Sequence, residues 1–227
     1  MNILLKFSFR IHDFLADFLA KYMFPIKRLM LVAAHLAIFG FFFPELRKEF
    51  GELAFDILFL LLFLSPLSKI FRMRLLLVLM SYRRQMGILM AYLATVHGLG
   101  YLSDPVWSGF VIQGKTFLQI DPRFLFGIGA YFLTLPLLLT SNNLALRLLG
   151  RNWKRVHFLV YGVFVLATFH KFTVGHGVEA GSVLVSLLFI AFYVLLKVLA
   201  NTGLPWPFSK ISQFIASQYK EHSLKKS

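Results

Sequence analysis

Cysteine is missing from the 227 residues. Its absence excludes disulfides, thiolate-held iron–sulfur clusters and the Cys-x-x-Cys-His attachment of a covalent haem. Acidic residues are scarce too, with 10 Asp and Glu against 24 Lys and Arg, for a net charge of +14. Such a balance can signal nucleic-acid binding, but here the cations fall in short clusters between apolar runs and not along one polar domain. They read as topology signals and lipid-headgroup contacts, with no nucleic acid as partner. A Gly-x-Gly-x-x-Gly loop after a strand is also lacking, so flavin or nicotinamide chemistry must come from another protein. There is no obvious internal repeat, no long linker and no carboxylate at mid-span, which argues against a transporter; Asp56 falls near the start of an apolar run.

Apolar surface, by contrast, is abundant. With 58% hydrophobic residues, 27 of them Phe, the chain carries more than a water-soluble core can hide. The expected solvent is the bilayer, and the expected fold is an all-α integral membrane protein, because a lone apolar segment in lipid must satisfy its own backbone. Six spans are expected, at about 29–43, 53–70, 86–102, 124–141, 156–174 and 182–200. Residues 3–22 repeat apolar side chains at Leu4, Phe7, Ile11, Phe14, Phe18 and Tyr22, opposite Lys6, Arg10, Asp13, Asp17 and Lys21. That pattern predicts an interfacial amphipathic helix, not a span or a cleavable signal peptide. A second interfacial helix is expected near the C-terminus from Ile211, Phe214, Ile215 and Tyr219. Trp107, in the long third loop, is expected at the membrane interface.

Nineteen Lys and Arg fall in the two terminal segments and the second and fourth loops, against five (Arg47, Lys48, Lys115, Arg123, Lys171) in the other loops. This bias predicts that both termini are cytoplasmic. The resulting layout is an interfacial helix over 1–26, a six-helix transmembrane domain over 27–201 and a basic cytoplasmic tail over 202–227.

Histidines inside apolar helices are costly and need a reason. His97 lies thirteen residues after Arg84 and His170 fifteen after Arg155, on spans that both run outward. Their depths, roughly 20 and 22 Å, nearly coincide. Two imidazoles at one depth can ligate opposite faces of one iron, as in a bis-histidine b haem, and Gly98 and Gly100 leave room beside His97 for a macrocycle. His157 lies roughly 20 Å inward of His170 along the same run. His35, in the inner half of the first span, is its candidate partner at a second haem; the alternative for each is a hydrogen-bonded structural histidine. Arg83, Arg84, Lys154 and Arg155 suit the propionates of an inner haem and equally serve as inside anchors. His12, His176 and His222 are expected to be solvated, and Pro136 to bend the fourth span.

The runs FLSPL (63–67), SYRRQMGILMAYLATVHGLGYL (81–102) and LTLPLLLTSNNLALRLLGRNWKRVHFLVYGVFVLATFHK (133–171) resemble the MsrQ (YedZ) haem-binding subunits of the bacterial periplasmic methionine sulfoxide reductase system. These sit within the wider ferric reductase-like transmembrane family. The resemblance covers about 29–175. It implies a six-helix b-haem protein of the bacterial inner membrane that passes electrons to a periplasmic molybdopterin methionine sulfoxide reductase. The donor it implies is a membrane quinol or a cytoplasmic flavin reductase, with FMN or a quinone as a further cofactor. It implies haem ligation by His97, His157 and His170, with His35 matching a first-helix histidine. The chain departs from the pattern after His170, where Lys-Phe-Thr-Val-Gly-His-Gly replaces an aromatic continuation that contains Trp. The alternatives are a ferric reductase-like protein that reduces ferric complexes or oxygen at the outer haem, and a non-redox transporter or scaffold.

Overall fold

The computed structural model describes residues 3–71, 73–105, 119–174, 179–202 and 217. Trp107, His176, His222 and the C-terminal Ile211, Phe214, Ile215 and Tyr219 lie outside these. Among the described residues every regular element is helical: α1 (Ile3–Lys21), α2 (Met23–Leu36) with a 3₁₀ extension (Ala37–Phe42), α3 (Leu46–Phe71), α4 (Arg74–Met80) and α5 (Arg83–Leu102). Then follow α6 (Pro122–Leu139), α7 (Asn143–Leu149), α8 (Arg151–His157), α9 (Leu159–Val174) and α10 (Ala180–Thr202). The protein is thus an all-α, multi-pass membrane protein.

Among the described residues five helical stretches are long and apolar enough to cross a bilayer: Met23–Phe42, Leu46–Phe71, Pro122–Leu139, Arg151–Val174 and Ala180–Thr202. With 20 residues, α5 is long enough, but Arg83, Arg84, Gln85 and His97 dilute its apolar character. Outward-facing side chains fit lipid as solvent. On α10, Leu184, Val185, Leu187, Leu188, Phe192, Val194, Leu195 and Val198 are all exposed. Buried hydroxyls in the apolar helices bond back one turn, Thr134 to Ala130 O, Thr168 to Phe164 O and Ser186 to Ser182 O. In lipid this is how a polar side chain avoids an unmet hydrogen bond.

Local chemistry explains the helix ends. Asp121 caps α6 by accepting from Arg123 N, with Pro122 at the first helical position, and Asn142 caps α7 by accepting from Ala145 N. Between α7 and α8 the chain turns at Gly150, whose φ of 49° is disfavoured for any side chain. The apolar run expected as one helix over 156–174 is interrupted at Phe158, between α8 and α9. The second and fourth loops contain α4 and α7.

The chain divides into two compact units. The first holds the described residues of Met1–Leu29, Leu60–Arg83 and Phe192–Ser227. In it α1 docks on α4 through its polar side: Asp17 pairs with Arg74 at 2.6 Å, and His12 Nε2 accepts from Leu75 N at 3.2 Å. His12 was expected in solvent but is 7% exposed. The reason is that Leu75 N–H, in the first turn of α4, has no intrahelical acceptor and takes the imidazole in its place. The apolar ridge Ile11, Phe14, Phe18 and Tyr22 is left open, as an interfacial helix requires. Tyr82, 2% exposed, donates to Leu19 O at 2.5 Å and fixes the far end of α1.

The second unit holds Met30–Phe59 and the described residues of Arg84–Ala191. Its centre is aromatic: Phe189 meets Phe55, Phe59, Phe164 and Phe172 with ring centroids 5.1 to 6.2 Å away. Around that centre stand the N-terminal half of α3, and α5, α6 and α9, which carry the candidate site.

Candidate functional site

The second unit contains a cavity of ≈500 Å³ into which both His97 and His170 face. Their ring centroids are 6.1 Å apart and their planes 71° from parallel. The depth match read from the sequence therefore corresponds to a real juxtaposition of α5 and α9.

Both rings are held in the same way. His97 Nδ1 lies 2.8 Å from Arg47 O on α3, and His170 Nδ1 lies 2.8 Å from Arg123 O on α6. A carbonyl can only accept, so each Nδ1 carries the proton and each Nε2 keeps a free lone pair. This is the orientation second-sphere carbonyls give to metal-binding imidazoles. The supporting segments are themselves anchored: Arg47 donates to Asp104 at 2.8 Å, and Arg123 pairs with Asp121 at 2.6 Å.

Glycine makes the seating feasible, though not where the sequence suggested. Gly98 lines the cavity, with its open side 3.5 Å from the Tyr131 ring, while Gly100 makes room for the Arg47 side chain at 3.1 Å and does not line the cavity. The glycines against the imidazoles are Gly51 and Gly127. Sequence reasoning missed these two and the Arg47 and Arg123 carbonyls. The available signal was the Arg-x-x-x-Gly spacing shared by 47–51 and 123–127. Tyr101 packs edge-on against His97 with centroids 5.2 Å apart. Lys48 and Lys171 bring positive charge to the cavity wall, and Lys171 Nζ lies 5.1 Å from the centre of the Phe55 ring.

The other two histidines stand elsewhere. His157 donates from Nδ1 to Trp153 O at 3.1 Å and stacks on the Trp153 ring at 3.7 Å. His35, exposed, donates to Leu31 O at 2.7 Å and leans on Tyr92. The hydrogen bonds and ring contacts of His35 and His157 thus go to different partners, and among the described residues no group of three or more His, Asp or Glu could hold a metal ion. Arg84 is engaged with Ser141 O at 2.9 Å and Asn143 Oδ1 at 2.7 Å, and Arg155 with Asn152 at 3.1 Å, while Arg83 and Lys154 are exposed.

These observations define a class: an apolar multi-pass membrane protein with two carbonyl-braced imidazoles facing one cavity. Sequence comparison narrows it. The family model for the ferric reductase like transmembrane component matches residues 50–168, more than half of the chain. The chain belongs to that family.

It is 33% identical over 126 residues to the protein-methionine-sulfoxide reductase heme-binding subunit MsrQ of Xanthomonas oryzae pv. oryzae, over 56% of each chain. To the MsrQ subunit of Xanthomonas axonopodis pv. citri it is 32% identical over the same share. With the magnetosome protein MamZ of Magnetospirillum gryphiswaldense it shares 28% identity over 54% of this chain and 18% of that protein. The chain spans a little over half the length of the MsrQ relatives it matches. No solved structure matches.

Proposed function

We propose that this chain is a membrane electron-transfer subunit that holds a b haem between His97 and His170. The observation that carries the reading is the pair of Nε2 lone pairs facing one cavity with ring centres 6.1 Å apart. Two metal–nitrogen bonds of about 2 Å and the half-widths of two rings add to roughly that separation. The donor set is a pair of imidazoles and the wall is mainly apolar, so the residues fit the group. Haem, when bound, supplies a one-electron iron couple. The residues would do the rest: His97 and His170 would hold the group through their Nε2 atoms, the Arg47 and Arg123 carbonyls hold the tautomer, and Lys48 and Lys171 on the cavity wall would offer cations to its carboxylates.

Further features of the reading rest on the resemblance and on charge distribution. Electrons enter from a cytoplasmic flavin reductase with FMN, or from a quinol. They leave to a periplasmic molybdopterin methionine sulfoxide reductase; the names of the Xanthomonas relatives support a methionine sulfoxide reductase as acceptor. A second, inner haem uses His157, with His35 as the partner candidate and Arg83, Arg84, Lys154 and Arg155 near its propionates. The chain sits in the bacterial inner membrane with α5 as a sixth span and both termini cytoplasmic. Residues 1–26 and 202–227 flank the transmembrane domain on that side.

The test is a reduced-minus-oxidised spectrum of detergent-purified protein, with haem and protein quantified together. Sharp low-spin b-type bands are expected, lost in His97→Ala and His170→Ala. Two haems per chain support the inner site, and one per chain removes it. Protein that stays haem-free under ample haem supply sinks the whole reading, as do bands unchanged in both variants.

A further inference from the structure

We propose that Gly51 and Gly127 are positioning residues for the two cavity imidazoles. The side chain each lacks is what seats a ring on the carbonyl one turn earlier and so sets the direction of its Nε2. The inference rests on the haem reading above, which names His97, His170 and the carbonyls that hold their tautomers but not what lets the rings seat on those carbonyls.

The geometry begins with the helix. In α3 and α6, N–H(i+4) bonds to C=O(i), and the second lone pair of that oxygen points outward past residue i+4. An imidazole reaching Arg47 O must lie over residue 51, and one reaching Arg123 O must lie over residue 127. A Cβ on Gly127 would lie 2.7 Å from Cε1 and 2.8 Å from Nδ1 of His170. On Gly51 it would meet Nδ1 of His97 and come within 2.5 Å of Cε1. Carbon atoms in good contact sit about 3.5–4.0 Å apart, so even the smallest side chain displaces the ring. The rings have little freedom to yield, because each is fixed by its bond to the carbonyl. An alanine at either position therefore breaks that bond or swings Nε2 away from the cavity.

Two further observations separate this role from ordinary helix packing. The arrangement occurs twice, on different helices, with the same four-residue offset between carbonyl and glycine. Gly98 lines the same cavity but meets only an ordinary 3.5 Å contact, with Tyr131, and Gly181 has nothing within 4 Å. Close approach alone is shared by other glycines, since Gly40 meets the Phe50 ring and Gly162 comes within 2.9 Å of Leu133; what marks Gly51 and Gly127 is that the group against each is a carbonyl-bonded imidazole of the cavity.

The experiment compares full-length parent, Gly51→Ala, Gly127→Ala and the control Gly181→Ala in detergent. Haem retention, the electron paramagnetic resonance g values of the oxidised haem and its midpoint potential are measured, with helix content and elution profile as fold controls. The g values report the orientation of the axial imidazole planes, which a purely structural change elsewhere does not move. Expected are shifted g values and potential with about 10- to 100-fold weaker haem retention in both cavity variants, parent-like values in Gly181→Ala and helix content retained throughout. Parent-like g values, potential and retention in Gly51→Ala and Gly127→Ala overturn the proposal. So does loss of helix content with aggregated elution in both, which marks them as packing glycines. A parent without low-spin haem overturns the haem reading itself; a parent with it and unaltered variants overturns only the positioning role.

Discussion

Arg47 and Arg123 perform the same task through their backbones: the carbonyl of each accepts the Nδ1–H of a cavity histidine at 2.8 Å. Their side chains are spent otherwise, on Asp104 and Asp121. The ion pairs hold the helix starts, and the helix starts hold the rings. The guanidinium groups are thus already engaged, and the cations left to the cavity are those of Lys48 and Lys171.

Lys171→Ala and Lys48→Ala are expected to lower the midpoint potential of the bound haem. Removing a nearby cation destabilises the reduced state, which carries one positive charge fewer. The change should be on the order of tens of millivolts, since the charges are partly solvated and Coulomb energies there are small. Lys171, pinned over Phe55, should have the larger effect, because Lys48 also faces Glu52 at 3.8 Å. A redox titration of each variant beside the parent checks both the direction and the order.

Trp153→Phe should keep an aromatic ring against His157 and lose the hydrogen bond from the indole N–H to Thr140 O, now 2.9 Å. A lost bond of this kind costs about 1 kcal/mol, roughly 2–4 °C in Tm for a chain of this size. Thermal unfolding followed by tryptophan-independent light scattering or circular dichroism reads the change. An unaltered Tm would mean that the bond contributes nothing to the joint between α6 and α8.

Gly150→Ala should destabilise the protein by about 1–3 kcal/mol through its backbone alone. The residue has a φ of 49°, and nothing lies within 4 Å of where a Cβ would stand, so steric contact adds no cost. Gly181→Ala, equally open and inside a helix, should be neutral or slightly stabilising, because alanine is the better helix former. The difference in Tm between the two variants isolates the cost of the positive φ.

Sequence periodicity and hydropathy carried most of the fold. The apolar runs had to be helices because lipid offers no partner for a bare backbone, and the observed helices fall within several residues of the expected ones. Some segments were not legible. Interruption of the fifth expected span at Phe158 and formation of α4 and α7 inside loops depend on short-range capping and tertiary contact, which hydropathy does not register. His12 followed the same rule: its burial came from an orphan N–H on α4, an element the sequence pattern had not separated from its loop.

For the site, the sequence determined that two histidines lie at one depth, since rise per residue and the positions of basic loops suffice for that. It did not determine which way the rings turn or what holds them. That was decided by the neighbouring helices α3 and α6, whose carbonyls lie 50 and 47 residues, and whose glycines lie 46 and 43 residues, from the histidines they brace. A helical period specifies which residues of one helix share a face. Contact between faces of different helices is a property of packing, so only the tertiary structure could place Gly51 under His97 and Gly127 under His170.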